Sequence, residues 1–453
     1  MRAIIIGLVA PAVLAVGALA QTTLARATLQ CSPAPCVLRP ALASEKGQGE
    51  VTDPAIAASP TDARQLLLGS ADGNCGDLSS VGFHLSSDGG STWTRVDCMP
   101  AIRDDNRPYN AVDEPSVGYD AKGSAYVSGV YADLAHGGGD YGFIGVQKSS
   151  NGKSWSTPVA ALIQPGKSSP YLSHLAVDAT PSSPFAGAVY VSGILVSYPG
   201  ADTQVWVSHT NDGGSTWTPT PVDSAQKNPY SDAMTRMAVG KNGAVYVTWL
   251  TGDTNPGPIV FSMSSDGGNT WSAPHQVTTV TGITALPNTG ERDYNYPSIA
   301  VDNSNGPYSG NLYVVMYTWT GSYLKVQMVR SIDGGKTWSK PIPLAPESDT
   351  HDQFFPAISV NKDGLVGVSW LDRRNDPKDI DYQAFAAISY DGGQTFGPNW
   401  QLTTKFSNPK VGNNDWIGDY TSNTWVDDKF IASWMDSSNG TDMQIVVGGV
   451  QLK

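Results

Sequence analysis

Histidine and cysteine are scarce in this chain of 453 residues, with six and four copies. The histidines are scattered, and no H-E-x-x-H, Gly-x-Ser-x-Gly or Cys-x-x-Cys phrase occurs. A zinc protease, a hydrolase with a serine elbow and a dithiol oxidoreductase therefore lack their local signatures. Charge is also thin. Asp, Glu, Lys and Arg make up 15% of the chain, against the usual quarter, and the balance is acidic at −13. Such a surface repels a phosphate backbone, so no nucleic-acid partner is expected. After residue 20 no apolar run is long enough to cross a bilayer.

The chain is rich in turn formers and aromatics. It has 48 Gly, 31 Pro, 13 Trp and 19 Tyr, spread evenly along its length. That distribution argues against disorder and for many short strands joined by tight turns. Residues 1–20 read as a signal peptide. Arg2 supplies the positive start, Ala3 to Ala20 is apolar, and Ala18-Leu19-Ala20 fits a cleavage site. Ala25-Arg26-Ala27 fits the same pattern, so cleavage as late as residue 27 is the alternative. The expected product is secreted or periplasmic, a monomer that leaves the membrane after cleavage. Export permits disulfides, and four cysteines allow three pairings. Cys31–Cys36 and Cys75–Cys98 are favoured, the first closing a short loop and the second bracing one repeat.

One phrase recurs: Ser-x-Asp-Gly-Gly-x-Thr-Trp. It stands at Ser86–Trp93, Ser264–Trp271 and Ser331–Trp338, with variants at Thr210–Trp217 and Ser389–Phe396. A shortened copy runs Ser149–Trp155. The closing aromatics lie at 93, 155, 217, 271, 338 and 396, a spacing of about sixty residues that marks an array of similar units. The acid can accept N–H groups of its own turn, the glycines permit positive φ, and the aromatic can pack inward. Alternating apolar residues precede the phrase, as in Lys325–Arg330, so it closes a β-hairpin.

A second phrase precedes each copy. It reads Pro-x-Ile-Ala-Val-Asp, a glycine turn, then Tyr-Val-x-Trp, as in Pro297–Trp319 and Pro356–Trp370. Strand pair plus hairpin gives a four-stranded propeller blade. Seven such pairs can be counted, from Pro54–Leu68 to Trp416–Trp434. The last unit ends after a third strand, and Cys36–Ala43 is the candidate for its fourth. An all-β propeller of seven blades is therefore expected, closed by an N-terminal strand, with six blades as the alternative. No linker-like stretch interrupts residues 28–453, so they read as one domain.

These repeats resemble the Asp-box (BNR) motifs of the sialidase-like superfamily, across nearly the whole chain. The resemblance implies a β-propeller directed at a glycan or glycoconjugate, with the Asp-boxes on the face away from the site. In sialidases three arginines fork onto a substrate carboxylate, a tyrosine sharpened by a glutamate attacks, and an aspartate donates the proton. Ile417–Asn423, with Asp419 and Tyr420, resembles the segment carrying that tyrosine. Asp372-Arg373-Arg374 resembles the site of the third arginine. Asp72 and Asp77 fall near the acid's position. Thr52-Asp53-Pro54 stands where the family has Arg-Ile-Pro, so the first arginine is missing, and Glu291 and Arg292 are the nearest stand-ins for the glutamate and the middle arginine.

A propeller gathers the starts of inner strands and the ends of second strands on one face. Here those positions include Asp113, Glu114, Arg236, Arg292, Trp416 and Asp419 from strand starts, and Asp72, Asp372 and Arg373 from strand ends. The expected catalytic set is Tyr420, Asp419, Asp72, Asp113 and Glu114. The expected substrate-binding set is Arg373, Arg374, Arg236, Arg292, Asp372 and Trp416. Crowded carboxylates raise one another's pKa, which would supply a general acid. The competing reading is a rim of strand caps around a wet channel, in a propeller that binds glycans or proteins without catalysis. No cofactor is called for. The turn Asp302–Gly306 is similar to a calcium loop without its later acid, so Ca²⁺ is the one cation left open.

Overall fold

The computed structural model describes residues 31–453 apart from 45–48, 77–78, 105–106, 134–141, 164–167, 198–201, 226–231, 252–254, 294 and 413–415. The expected signal peptide lies outside the described residues, as do Asp77, Asp253, Tyr294 and Asp415. Among the described residues no helix is long and apolar enough to cross a membrane.

Seven antiparallel sheets are arranged as blades. Blade one is Val51–Ala58, Leu66–Asp72, Val81–Ser86 and Thr94–Cys98. Blade two is Arg107–Tyr119, Ala125–Ala132, Gly142–Ser149 and Val159–Leu162, with Ile102–Asp104 as a short fifth strand. Blade three is Ser168–Val177, Val189–Ser197, Thr203–Thr210 and Thr218–Pro221. Blade four is Asp232–Val239, Val245–Thr251, Gly257–Ser264 and His275–Val280. Blade five is Ser298–Val301, Leu312–Trp319, Leu324–Ser331 and Ile342–Pro343. Blade six is Gln353–Val360, Val366–Asp372, Gln383–Ser389 and Trp400–Gln401. Blade seven is Ser422–Val426, Lys429–Asp436 and Gln444–Gln451, completed by Cys36–Leu42. Cys36 pairs with Gln451 and Leu42 with Val446, so the two ends of the described chain share one sheet. That pairing closes the ring and removes the edge an open array would offer to other chains.

Packing follows the alternation in the sequence. Second-strand tryptophans Trp249, Trp370 and Trp434 are fully buried between blades. Truncating one to alanine would cost roughly 3–5 kcal/mol. Both favoured disulfides form, Cys31–Cys36 and Cys75–Cys98.

The Asp-box turns follow their physical reading. In blade one Asp88 Oδ1 accepts the Thr92 N–H (2.9 Å) and Oδ2 accepts the Thr92 hydroxyl (2.6 Å). Gly89 and Gly90 carry φ of 73° and 92°, which a side chain would resist. Trp93 packs against the core between blades. Ser86 pairs with Leu66, and Leu66 with Ala58 at the far end of the inner strand. The other five boxes repeat this register, so all lie on the face where inner strands end.

The calcium-like turn is partly occupied by a lysine. Lys241 Nζ donates to the Ser304 carbonyl (2.7 Å) and to Asn305 Oδ1 (3.2 Å), and Asp302 Oδ1 accepts the Ser304 N–H. An ammonium group thus occupies two of the oxygens a cation would use, and Asp302 Oδ2 is left without a hydrogen-bond partner.

Candidate functional site

The opposite face is shaped by a bulge near the start of the inner strands. Pairing slips between Thr52 and Ala55, Asp113 and Ser116, Tyr171 and His174, and Phe354 and Ala357. At each slip one non-glycine residue adopts positive φ: Asp53 (52°), Glu114 (59°), Leu172 (57°) and Phe355 (52°). Each such residue costs on the order of 1–3 kcal/mol, sustained by packing on both sides. A bulge re-aims its side chain. Aligned on it, the inner strands place Asp53, Glu114, Leu172, Tyr296, Phe355 and Tyr420 at one level of the ring. Neighbouring blades are tied at that level. Ser173 donates to the Glu114 carbonyl (3.2 Å), Thr235 to Leu172 (2.9 Å) and Thr421 to Phe355 (2.7 Å).

Around this ring the structure gathers much of the expected set. Arg292 forks onto Asp419, with Nη2 to Oδ2 at 2.7 Å and Nε to Oδ1 at 3.3 Å. Trp416 donates its indole N–H to Asp419 Oδ1 (3.2 Å), and the Arg292 guanidinium lies 4.8 Å from the Trp416 ring centre. The Asp419 N–H donates to Asp53 Oδ1 (2.6 Å). Asp113 caps the Glu114 N–H (2.8 Å). One step deeper, Arg236 lies over both Tyr296 and Tyr420, at 4.8 and 4.5 Å from their ring centres. The two rings meet edge to face at 5.5 Å, and the Tyr420 hydroxyl donates to the Pro115 carbonyl (3.2 Å). Below them runs an axial cavity of about 400 Å³, lined by all seven inner strands, His174 and Asn423 among them. The mouth is open at Arg292, whose side chain is 47% exposed, and closed at Asp419, at 4%.

Burial dominates the electrostatics. It pushes Glu114 well above the usual carboxyl range, helped by Asp113, Asp53 and Asp419 and opposed by Arg236. Asp53 is raised in the same way, by burial and then by Asp419 and Asp113. Burial lifts Asp113 to about 6, although the Glu114 N–H favours its charged form. Asp293 rises to about 7 by burial, against the bond from the Tyr317 hydroxyl (2.5 Å). Asp419 is raised by burial, and Arg292 and Trp416 oppose the rise. The Tyr420 phenol is raised well above its ordinary value by burial, then by Glu114 and Asp53. Burial therefore favours the protonated form most strongly at Asp53 and Glu114, while Asp419 is the carboxyl at which a guanidinium and an indole oppose the rise.

The remaining candidates lie elsewhere. Arg373 is fully buried. Its Nη1 donates to the Pro287 carbonyl (2.8 Å), Asp352 Oδ2 (3.1 Å) and the Asp379 carbonyl (3.2 Å), and its Nη2 to Thr289 Oγ1 (3.1 Å). Arg374 is held by Asp372, Asp349 and Asn399 and lies over Phe385. Neither guanidinium joins Tyr420. Asp372 also accepts the Trp370 indole N–H (2.7 Å), so it belongs to that structural network. Asp72 sits inside blade one, capping a 3-10 turn through the Asn74 N–H, with His84 at 3.9 Å and Arg95 at 4.0 Å. Burial holds His84 down at about 4. Asp53, Tyr296 and Asp293 stand with this cluster, although the sequence selected none of the three as a ligand or catalyst. The signal was there: aligned on Asp419-Tyr420, the strand starts read Thr52-Asp53, Asp113-Glu114 and Asn295-Tyr296. Among the described residues no group of three His, Cys, Asp or Glu side chains is placed to hold a metal ion.

Several solved structures are similar to this chain. A protein of unknown function from Dyadobacter fermentans is 15% identical with a TM-score of 0.50, matching 93% of this chain and 100% of its own. The NanB sialidase of Streptococcus pneumoniae is 12% identical with a TM-score of 0.48, over 74% and 67% of the two chains. An α-L-arabinanase of Penicillium chrysogenum is 15% identical with a TM-score of 0.49, over 74% and 94%. No family model and no curated protein matches the sequence. Likeness at this level leaves the chemistry to be argued from the mouth of the ring.

Proposed function

We propose that this chain is an exported, monomeric glycoside hydrolase acting at the mouth of the ring. One observation carries the reading. Asp419, bonded by the Arg292 guanidinium and the Trp416 indole that favour its charged form, stands in the same cluster as Asp113, whose carboxyl burial raises to about 6. Glycoside hydrolysis needs such a pair, one acid to protonate the leaving oxygen and one anion to meet the developing positive charge. In this assignment Asp113 is the acid and Asp419 the anion. Arg292 and Trp416 present a cation and an aromatic face to the sugar ring. The Arg236–Tyr296–Tyr420 stack forms the floor and favours attack at a chain end.

A second reading makes Tyr420 the nucleophile, because residues 417–423 resemble the sialidase segment that carries one; burial and then Glu114 raise its phenol, which works against that role. Chromogenic glycosides, a sialoside and an arabinofuranoside among them, separate the two. Under the first reading Asp113→Asn and Asp419→Asn each lose about 10²–10⁴-fold in kcat/KM, while Tyr420→Phe keeps activity. Loss in Tyr420→Phe alone would favour the second. Glycan-array binding without hydrolysis, abolished by Arg292→Ala, would make the chain a non-catalytic binding propeller.

A further inference from the structure

The buried arginine of blade six is linked to the mouth through a strap. Between blades four and five, residues 281–293 fold back on themselves. Leu286 donates to the Glu291 carbonyl (2.7 Å), Gly290 to the Leu286 carbonyl (3.0 Å) and Asp293 to the Thr284 carbonyl (3.3 Å). Ala285 and Arg292 form an antiparallel bridge. At the tip Asn288 takes the left-handed conformation that asparagine tolerates, with φ of 65°. Arg373 ties this tip down, through the Pro287 carbonyl and the Thr289 hydroxyl. Asn288 adds a bond to the Asp379 carbonyl (3.0 Å), which Arg373 also contacts. At the other end, Arg292 leaves the strap to meet Asp419 and Trp416.

We propose that Arg373 is a positioning residue: it clamps the tip of the 281–293 strap and thereby holds Arg292 on Asp419 and Trp416. It touches no substrate. A guanidinium suits the task because its planar fork reaches two strap acceptors and Asp352 at once, which a lysine could not do. The catalytic consequence rests on the glycosidase reading. The structural claim does not.

The test uses the whole mature protein labelled with 5-fluorotryptophan. The Trp416 ¹⁹F line is assigned by its loss in Trp416→Phe. In Arg292→Ala that line shifts because the stacked cation is gone. The expected result is that Arg373→Met moves the Trp416 line toward the Arg292→Ala position and leaves the Trp249 line of blade four in place. Amide exchange at Leu286, Gly290 and Asp293 should rise by about tenfold or more. Thr289→Val, which removes one strap acceptor, should shift the same line in the same direction by less, and it decides the question if Arg373→Met does not fold. An unmoved Trp416 line with wild-type strap protection would overturn the proposal. On a cleaved glycoside, Arg373→Met should lower kcat as Arg292→Ala does, and the double variant should be no worse than either. Lost catalysis with an unmoved Trp416 line would mean that Arg373 meets substrate directly, which also overturns it. If no glycoside is cleaved, the glycosidase reading fails alone, and fluorine shift and exchange still judge the strap.

Discussion

Two sets of acidic side chains occupy opposite ends of the same blades and hold their protons in opposite ways. On the Asp-box face, the Thr270 hydroxyl and the turn's own N–H groups bring Asp266 down to about 2, and Asp333 is held at about 2 by its bond from Thr337. Asp212 is lowered by the same contacts. At the mouth, Asp53, Asp113, Glu114 and Asp293 are raised, because burial there outweighs the donors they receive. The residue type is shared, and the supply of N–H and O–H donors differs. A carboxyl enclosed by its own turn becomes a structural anion. A carboxyl crowded against others near the axis keeps its proton and becomes available for chemistry.

The largest effect expected from this contrast is catalytic. Asp419→Asn should remove about 10²–10⁴-fold of glycoside hydrolysis with little change in melting temperature, measured by kcat/KM and calorimetry. A variant that melts early but turns over normally would break the contrast.

The next effect is on pH. Asp113 holds its proton to about pH 6 when folded and releases it near its ordinary 3.8 when unfolded. The stability from that proton is complete below the unfolded value and is lost as pH rises through 6. Asp113→Asn should remove this loss, so urea titrations between pH 4 and 7 should show the wild type losing roughly 2–3 kcal/mol relative to the variant. His84 runs the other way. Its folded pKa is about 4 against 6.5 unfolded, so it takes stability away as pH falls from 6.5 toward 4.

On the Asp-box face the effects belong to stability. Burial pushes Asp88 up, and bonds from Thr92 and Ser86 more than offset it. Asp88→Ala should cost about 2 kcal/mol by urea unfolding and leave kcat unchanged. Smallest of all, blade two carries Asn151 in place of the acid, and its Oδ1 accepts the Lys153 (2.8 Å) and Ser154 (2.9 Å) N–H groups. Asn151→Asp should stabilise by a few tenths of a kcal/mol, since a charged acceptor strengthens those bonds. No gain would mean that the turn is held by its backbone rather than by the acid.

The legible parts of this protein are local. Each Asp-box could be read because all its partners lie within seven residues, and seven strand pairs could be counted because alternation and turn residues mark each one. The closing strand was legible from a missing partner, since blade seven has only three strands of its own. The mouth was read in part. Asp113, Glu114, Arg236, Arg292, Trp416 and Asp419 were named for their place at strand starts and Tyr420 for its resemblance to the sialidase segment, and the ring brings them near one another. Arg373 was misplaced by resemblance: it follows a second strand as a substrate arginine should, yet its side chain turns to the 281–293 strap. Asp53 was read as a missing arginine, and its tie to Asp419 spans 366 residues of sequence.

What the sequence determined by itself is the repeat: strand, turn, strand, hairpin, enforced by contacts that close within each blade of about sixty residues. What only the tertiary structure decided is which acids meet. Closing seven blades into a ring sets Asp53, Asp113 and Asp419 of three blades into one desolvated cluster, and proton affinity there depends on neighbours that no local stretch of chain contains.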